Sequence, residues 1–171
     1  MTALQPPSHS TSVVSNILAA SELRVYFEPL TPARLDLLMA VEHSAYASPW
    51  SRGNFIDAMA AGYECRLLLA DTGALLGYFI AMRGVEEAHL LNLTVAPAYQ
   101  RQGWAHVLLD ALDIWARSQS AAWLWLEVRA SNQRAQAVYQ RHGYQCVGQR
   151  KSYYPSVDGL REDAVVMSLA L

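Results

Sequence analysis

The sequence predicts one α/β domain built on a mixed sheet, and three stretches of the chain predict it. Leu91-Asn92-Leu93-Thr94-Val95 is rich in β-formers, and from Gly103 onward Ala105, Leu108, Leu109, Leu112 and Ala116 recur at three- and four-residue steps, the stripe of an amphipathic helix. Trp123-Leu124-Trp125-Leu126-Glu127-Val128 then reads as a second buried strand, so strand, helix and strand make a right-handed parallel crossover. Upstream, residues 65–70 and 75–82 are apolar runs joined through Asp71-Thr72-Gly73, the pattern of an antiparallel hairpin.

In chain order, residues 1–12 are rich in Ser, Thr and Pro and contain no Lys or Arg, so the short apolar patch over 13–20 lacks the basic flank of a signal peptide. Residues 1–21 are read as a mobile tail, with a short docked helix over 13–20 as the alternative, and residues 22–171 as the domain. Leu23-Arg24-Val25-Tyr26-Phe27 alternates as a first strand. Thr31 offers a capping hydroxyl and Pro32 a first helical position to a helix that carries Leu35, Leu38, Met39 and Glu42 on one side and ends near Tyr46. After the break Ala47-Ser48-Pro49-Trp50, Ser51 caps a second helix holding Phe55, Ile56 and Met59, which stops before Gly62. The hairpin leads through Gly84 and Glu86-Glu87 into the strand ending at Val95. Beyond the crossover, a helix over 132–142 ends at Gly143, and 144–153 and 164–169 finish as two strands around the loop 155–162.

Composition removes several function classes. The chain has 171 residues, 53% of them apolar, which is enough for a sizeable core, and its net charge of −2 argues against nucleic acid as a partner. Cys65 and Cys146 lie far apart with no CxxC or nearby His pair, so they read as reduced, buried thiols of an intracellular protein. His9, His43, His89, His106 and His142 show no metal-ligand spacing, and no metal is expected. No G-x-S-x-G is present, which leaves serine hydrolase chemistry without support. No apolar run reaches the length of a membrane span, so a cytoplasmic protein that does not engage membranes is expected. Nothing in the sequence sets the oligomeric state, and a monomer is the default expectation.

Between the central strand and helix sits Gln100-Arg101-Gln102-Gly103-Trp104-Ala105. Gly and Ala at the crowded points let a ligand approach the backbone, and the first N–H groups of the helix lack intrahelical partners, a natural seat for a phosphate. No G-K-[ST] ends the loop and it holds a single glycine, which excludes Walker A and G-x-G-x-x-G. It does match Q/R-x-x-G-x-G/A. With LWLEVRASN, AVYQRHGY and YYP further on, residues 23–169 resemble the GCN5-related N-acetyltransferase (GNAT) superfamily, in its RimI-like branch of ribosomal-protein-alanine N-acetyltransferases.

That resemblance implies a predominantly antiparallel seven-stranded sheet with a parallel, splayed central pair and about four helices. It implies acetyl-CoA as co-substrate, with its arm beside the main chain of Leu93, Thr94 and Val95. The pyrophosphate would lie on amides of Arg101, Gln102, Gly103, Trp104, Ala105 and His106, and Asn132 would complete the contacts. Trp104 departs from the usual pattern by its bulky ring, which leaves the backbone contacts intact if it points away. The resemblance makes Glu127 the general base and Tyr139 the acid that protonates the departing thiolate.

The residue chemistry fits those roles. A carboxylate closing an apolar strand is costly unless it is paired or has a task; the alternative for Glu127 is a strand-end acid tied to Arg129. For Tyr139 the alternative is core packing with its hydroxyl at the surface. Thiols ionise near about 8.5 and phenols near about 10, so a proton can pass from phenol to thiolate. An α-amine, with a pKa of about 8, loses its proton roughly 3.5 kcal/mol more readily at pH 7 than lysine at about 10.4, which favours a protein N-terminus as acceptor. Tyr46, Pro49 and Trp50 with Tyr153, Tyr154 and Pro155 could wall a peptide groove, and Glu42 could meet basic residues there. The expected reaction is acetylation of the N-terminal alanine of a small-subunit ribosomal protein. Acetylation of lysine or a small amine, and acyl-CoA sensing without turnover, are the alternatives.

Overall fold

A seven-stranded sheet in the order β1-β2-β3-β4-β5-β7-β6 organises the computed structural model, which describes residues 23–155 and 159–171. The tail expected over 1–21, with its alternative docked helix, lies outside the described residues. The strands are β1 (Val25–Pro29), β2 (Glu64–Ala70), β3 (Leu75–Arg83), β4 (Glu87–Val95), β5 (Trp123–Arg129), β6 (Gln145–Pro155) and β7 (Arg161–Ala170). The helices are α1 (Leu35–Ala45), α2 (Arg52–Ala60), α3 (Trp104–Ser118) and α4 (Gln133–His142). All neighbours pair antiparallel except β4 with β5, which run parallel across α3 as the strand-helix-strand pattern predicts. Among the described residues no helix is long and apolar enough to cross a membrane.

The two inner strands β2 and β3 read as near-continuous apolar runs because both of their faces are covered. Leu68, Leu76 and Phe79 pack in one cluster with Leu108, Leu109 and Leu112 of α3. Leu67, Leu69, Tyr78 and Ile80 go to the other, with Leu35 and Leu38 of α1 and Phe55 of α2. Gly77 lies where β3, the end of β4 and α3 meet, and a Cβ there would stand 2.5 Å from the Thr94 carbonyl oxygen.

Local chemistry departs from the sequence reading at four places. Thr31 makes no side-chain cap; a single 3-10 turn, Pro32–Arg34, precedes α1, and Arg34 Nε pairs with Glu28 at 2.6 Å. Ser51 does cap α2, in a reciprocal box with Asn54, yet Ile56 is exposed because Phe55 and Ala58 take the inward side of this helix. Cys65 is buried as expected, whereas Cys146 is exposed, since it stands on β6, an edge strand whose residues are almost all exposed. That edge strand is also irregular. Its register with β7 shifts twice, between Cys146 and Gly148 and between Arg150 and Tyr154, where Ser152 has φ 50° and donates its N–H to Asp163 Oδ1 at 2.8 Å.

Candidate active site

The sheet opens between its two parallel strands. β4 and β5 pair only from Glu87 and Trp123 to Leu90 and Leu126, so residues 91–95 and 127–129 diverge. The cause lies in β4, where Asn92 faces Ile80 and Leu90 faces Ala81, which leaves Leu91 as an extra, bulged residue that bends the strand. Tyrosines approach the opening from both sides. The Tyr46 hydroxyl, at the end of α1, lies 3.2 Å from the Leu93 carbonyl oxygen and 3.0 Å from Thr94 Oγ1, and the Thr94 hydroxyl donates to Asn92 Oδ1. From β6, the Tyr154 hydroxyl donates to the Glu127 carbonyl at 2.9 Å. Tyr139, on the inward side of α4, is buried, and burial pushes its phenol well above the ordinary range, with Tyr46 and Tyr154 adding to the effect.

The loop beside this opening leaves several backbone donors without backbone acceptors. Gly103 caps α3 at φ 90° and brings no side chain, and Arg101 is also left-handed at φ 63°. No side-chain cap closes the helix start. Among the described residues, no backbone carbonyl accepts from the amides of residues 101–105, whereas His106 N–H donates to the Gly103 carbonyl at 3.0 Å. His106 is therefore less free as a donor than the sequence suggests. The Trp104 ring packs on the α3 core cluster and its Nε1 donates to Gln102 Oε1 at 3.4 Å. Gln100 fixes the loop, donating to the Val95 carbonyl at 3.1 Å and accepting from Arg134 of α4 at 3.2 Å. Asn132 caps α4 through Oδ1 to the Ala135 N–H at 3.1 Å.

Glu127 is not tied to Arg129, which pairs with Glu162 at 3.1 Å and lies over the Tyr154 ring at 4.6 Å. Its partner is Arg150 on β6, with Nη2 3.0 Å from Oε1. Nothing in the sequence pointed to Arg150, because the contact depends on strand order. Glu42 corrects another expectation: at 1% exposure it cannot meet a substrate's basic residue. Its Oε1 accepts from the Trp50 N–H at 2.7 Å and its Oε2 from the Tyr78 hydroxyl, so it ties the α1–α2 loop to the sheet. Trp50 in turn packs on Phe55, ring centroids 5.3 Å apart, while Tyr153 and Tyr154 meet edge to face at 5.0 Å near the last hairpin.

A model of the Acetyltransferase (GNAT) family matches residues 35–144, from α1 through the loop before α3, Glu127 and Tyr139. The chain belongs to the GNAT family. This GNAT chain is 38% identical over 144 residues to the [ribosomal protein bS18]-alanine N-acetyltransferase of Haemophilus ducreyi, covering 84% of this chain and 99% of that one. It is 39% identical over 131 residues to the enzyme of the same name from Escherichia coli K12, covering 77% and 87%. The GNAT fold described above is also that of the crystal structure of the ribosomal-protein-S18-alanine N-acetyltransferase from Escherichia coli, at a TM-score of 0.78 and 36% identity over 86% of this chain and 94% of that one.

Proposed function

We propose that this GNAT protein transfers acetyl from acetyl-CoA to the N-terminal α-amine of a protein, the alanine of small-subunit ribosomal protein bS18. The observation that carries the reading is the uncapped start of α3, with amides 101–105 lacking backbone acceptors, beside the opening between β4 and β5. The pyrophosphate binds those amides and Asn132 Nδ2 reaches the same ligand, while the thioester arm follows Leu93, Thr94 and Val95. The end of β4, paired with β3 but open on its β5 side, offers main-chain groups to the arm, and the Val95 N–H steadies the oxyanion. Glu127 takes the amine proton, directly or through one water, and Tyr139 protonates the sulfur as the C–S bond breaks. Burial raises the Tyr139 phenol, which holds its proton more tightly than in water, and the same exclusion of water disfavours the departing thiolate, so the sulfur is driven to take the proton. No covalent enzyme intermediate is needed, since both substrates are held in one opening. Tyr46, Trp50, Tyr153 and Tyr154 wall the approach of the peptide. Similarity to bS18-alanine N-acetyltransferases across most of the chain supports an α-amine over lysine or a small amine.

Mass spectrometry of a bS18 N-terminal peptide incubated with the protein and acetyl-CoA is expected to find one acetyl group, on the α-amine. Acetylation confined to a lysine would overturn the acceptor. Glu127→Gln and Tyr139→Phe are each expected to bind acetyl-CoA normally and to lower turnover on the order of a hundredfold, the usual scale for a proton-transfer group. Unimpaired turnover in either variant removes that residue's role.

A further inference from the structure

Glu127 does not stand alone on the rim of the opening. Its side chain is 14% exposed and carries the Arg150 guanidinium on Oε1, while the Arg150 side chain is 53% exposed. The register explains the reach. Glu127 faces Val166 on β7 and Arg150 faces Ala164, two residues along the same strand, so both project from one face of the sheet. The methyl of Ala164 leaves room for the arginine to cross β7. The guanidinium also lies 5.4 Å from the Tyr153 ring centroid, and the irregular stretch that follows Arg150 in β6 sets where its side chain begins. A pair so open to solvent on one side adds little to stability, so its consequence lies in the site.

An acceptor amine must attack as the neutral species. A lone carboxylate beside it favours the ammonium form, and binding ammonium stabilises the ground state without helping the attack. We infer that Arg150 is a positioning residue for the acceptor: by compensating the Glu127 charge from the Oε1 side, it admits the amine neutral instead of trapping it as ammonium. This rests on the reading of Glu127 as the base. The other groups near Glu127 do not supply that compensation: Arg129 on β5 is engaged by Glu162 of β7, Tyr154 of β6 offers a phenol that burial keeps protonated and whose hydroxyl donates to the Glu127 carbonyl, and Tyr153 lies against the Arg150 guanidinium.

Steady-state kinetics with acetyl-CoA and an alanine-initiated peptide test this on Arg150→Gln and Arg150→Lys, with Glu127→Gln in parallel. Arg150→Gln is expected to lower the peptide KM several-fold and kcat about tenfold at pH 7, with the acetyl-CoA KM unchanged. The kcat deficit should close only as the pH rises past the value of the bound amine, roughly one unit above the ordinary α-amine value of about 8 for a tenfold deficit, and Arg150→Lys should restore both constants. A peptide KM that rises or stays level in Arg150→Gln, or a deficit that does not change with pH, overturns the inference. If Glu127→Gln has lost turnover, that result overturns the role of Arg150 alone; full turnover in Glu127→Gln overturns the base assignment and this role together.

Discussion

Cys65 and Cys146 show how a residue's chemistry follows from the strand row it occupies. Cys65 faces Ile80 in the covered part of the sheet, and burial, with Glu64 adding to it, pushes its thiol up to about 11. Thiolate is the reactive species, so Cys65 stays inert at pH 8 while Cys146 is open to reagent. Iodoacetamide at pH 8 is expected to add one label to the native protein, at Cys146, and two after denaturation; two labels on the native protein would refute the burial argument. Both thiols read as buried in the sequence because their spacing offers neither a disulfide nor a metal pattern, and only strand order distinguishes a covered strand from an edge. Glu42 carries the same lesson. Its place on the inward side of α1 was legible from helical spacing, but its partners, Trp50 and Tyr78, are set by how α1 meets the sheet.

At the scale of elements, Gly77 decides how closely the end of β4 and the first turns of α3 approach β3. A Cβ there would meet the Thr94 carbonyl oxygen at 2.5 Å, Leu108 Cδ1 at 3.0 Å and Val95 Cα at 3.3 Å, two of them backbone atoms that cannot rotate away. Gly77→Ala is expected to lose about 1–3 kcal/mol of stability in denaturant titration. It is also expected to bind acetyl-CoA several-fold more weakly in calorimetry, because the displaced segment is the end of β4; unchanged affinity would separate β4 from the cofactor. Strands β2 to β5 were legible as apolar runs, α3 through periodicity, Ser51 as a helix cap though not its reciprocal box with Asn54, and the end of α4 through Gly143, one past the last helical turn. The Leu91 bulge was not, because Leu90 and Leu91 are both apolar and only the partner strand reveals which is extra. The loop amides, Glu127 and Tyr139 were legible as a motif. The pairs Glu127–Arg150 and Gln100–Arg134 were not, since each joins elements that only the tertiary fold brings together.

Across the whole molecule, five phenols share one electrostatic condition. Tyr46, Tyr78, Tyr139, Tyr144 and Tyr154 are all raised above the ordinary value, in each case chiefly by burial. In the unfolded chain they ionise near about 10, so above that pH the unfolded state releases protons that the folded state retains. Their contribution to stability is complete below pH 10 and is lost as the pH climbs toward the folded values. Melting temperature is expected to stay level from pH 8 to about 9.5 and to fall steeply beyond pH 10, with the phenolate absorbance of these five rings appearing together with unfolding. Phenolate absorbance equivalent to all nine tyrosines from the intact fold at pH 10 would show these five rings to be more accessible than the structure makes them.

The kinked margin formed by β6 has a consequence for how copies of the protein tolerate crowding. A bare sheet edge is a template on which another chain can extend an intermolecular ladder, the first step toward fibrils. Here two offsets in register, the cationic Arg150 and Lys151, and Pro155 at the strand's last position break that template into short, charged pieces, the features that work against stacking along a strand left open to solvent.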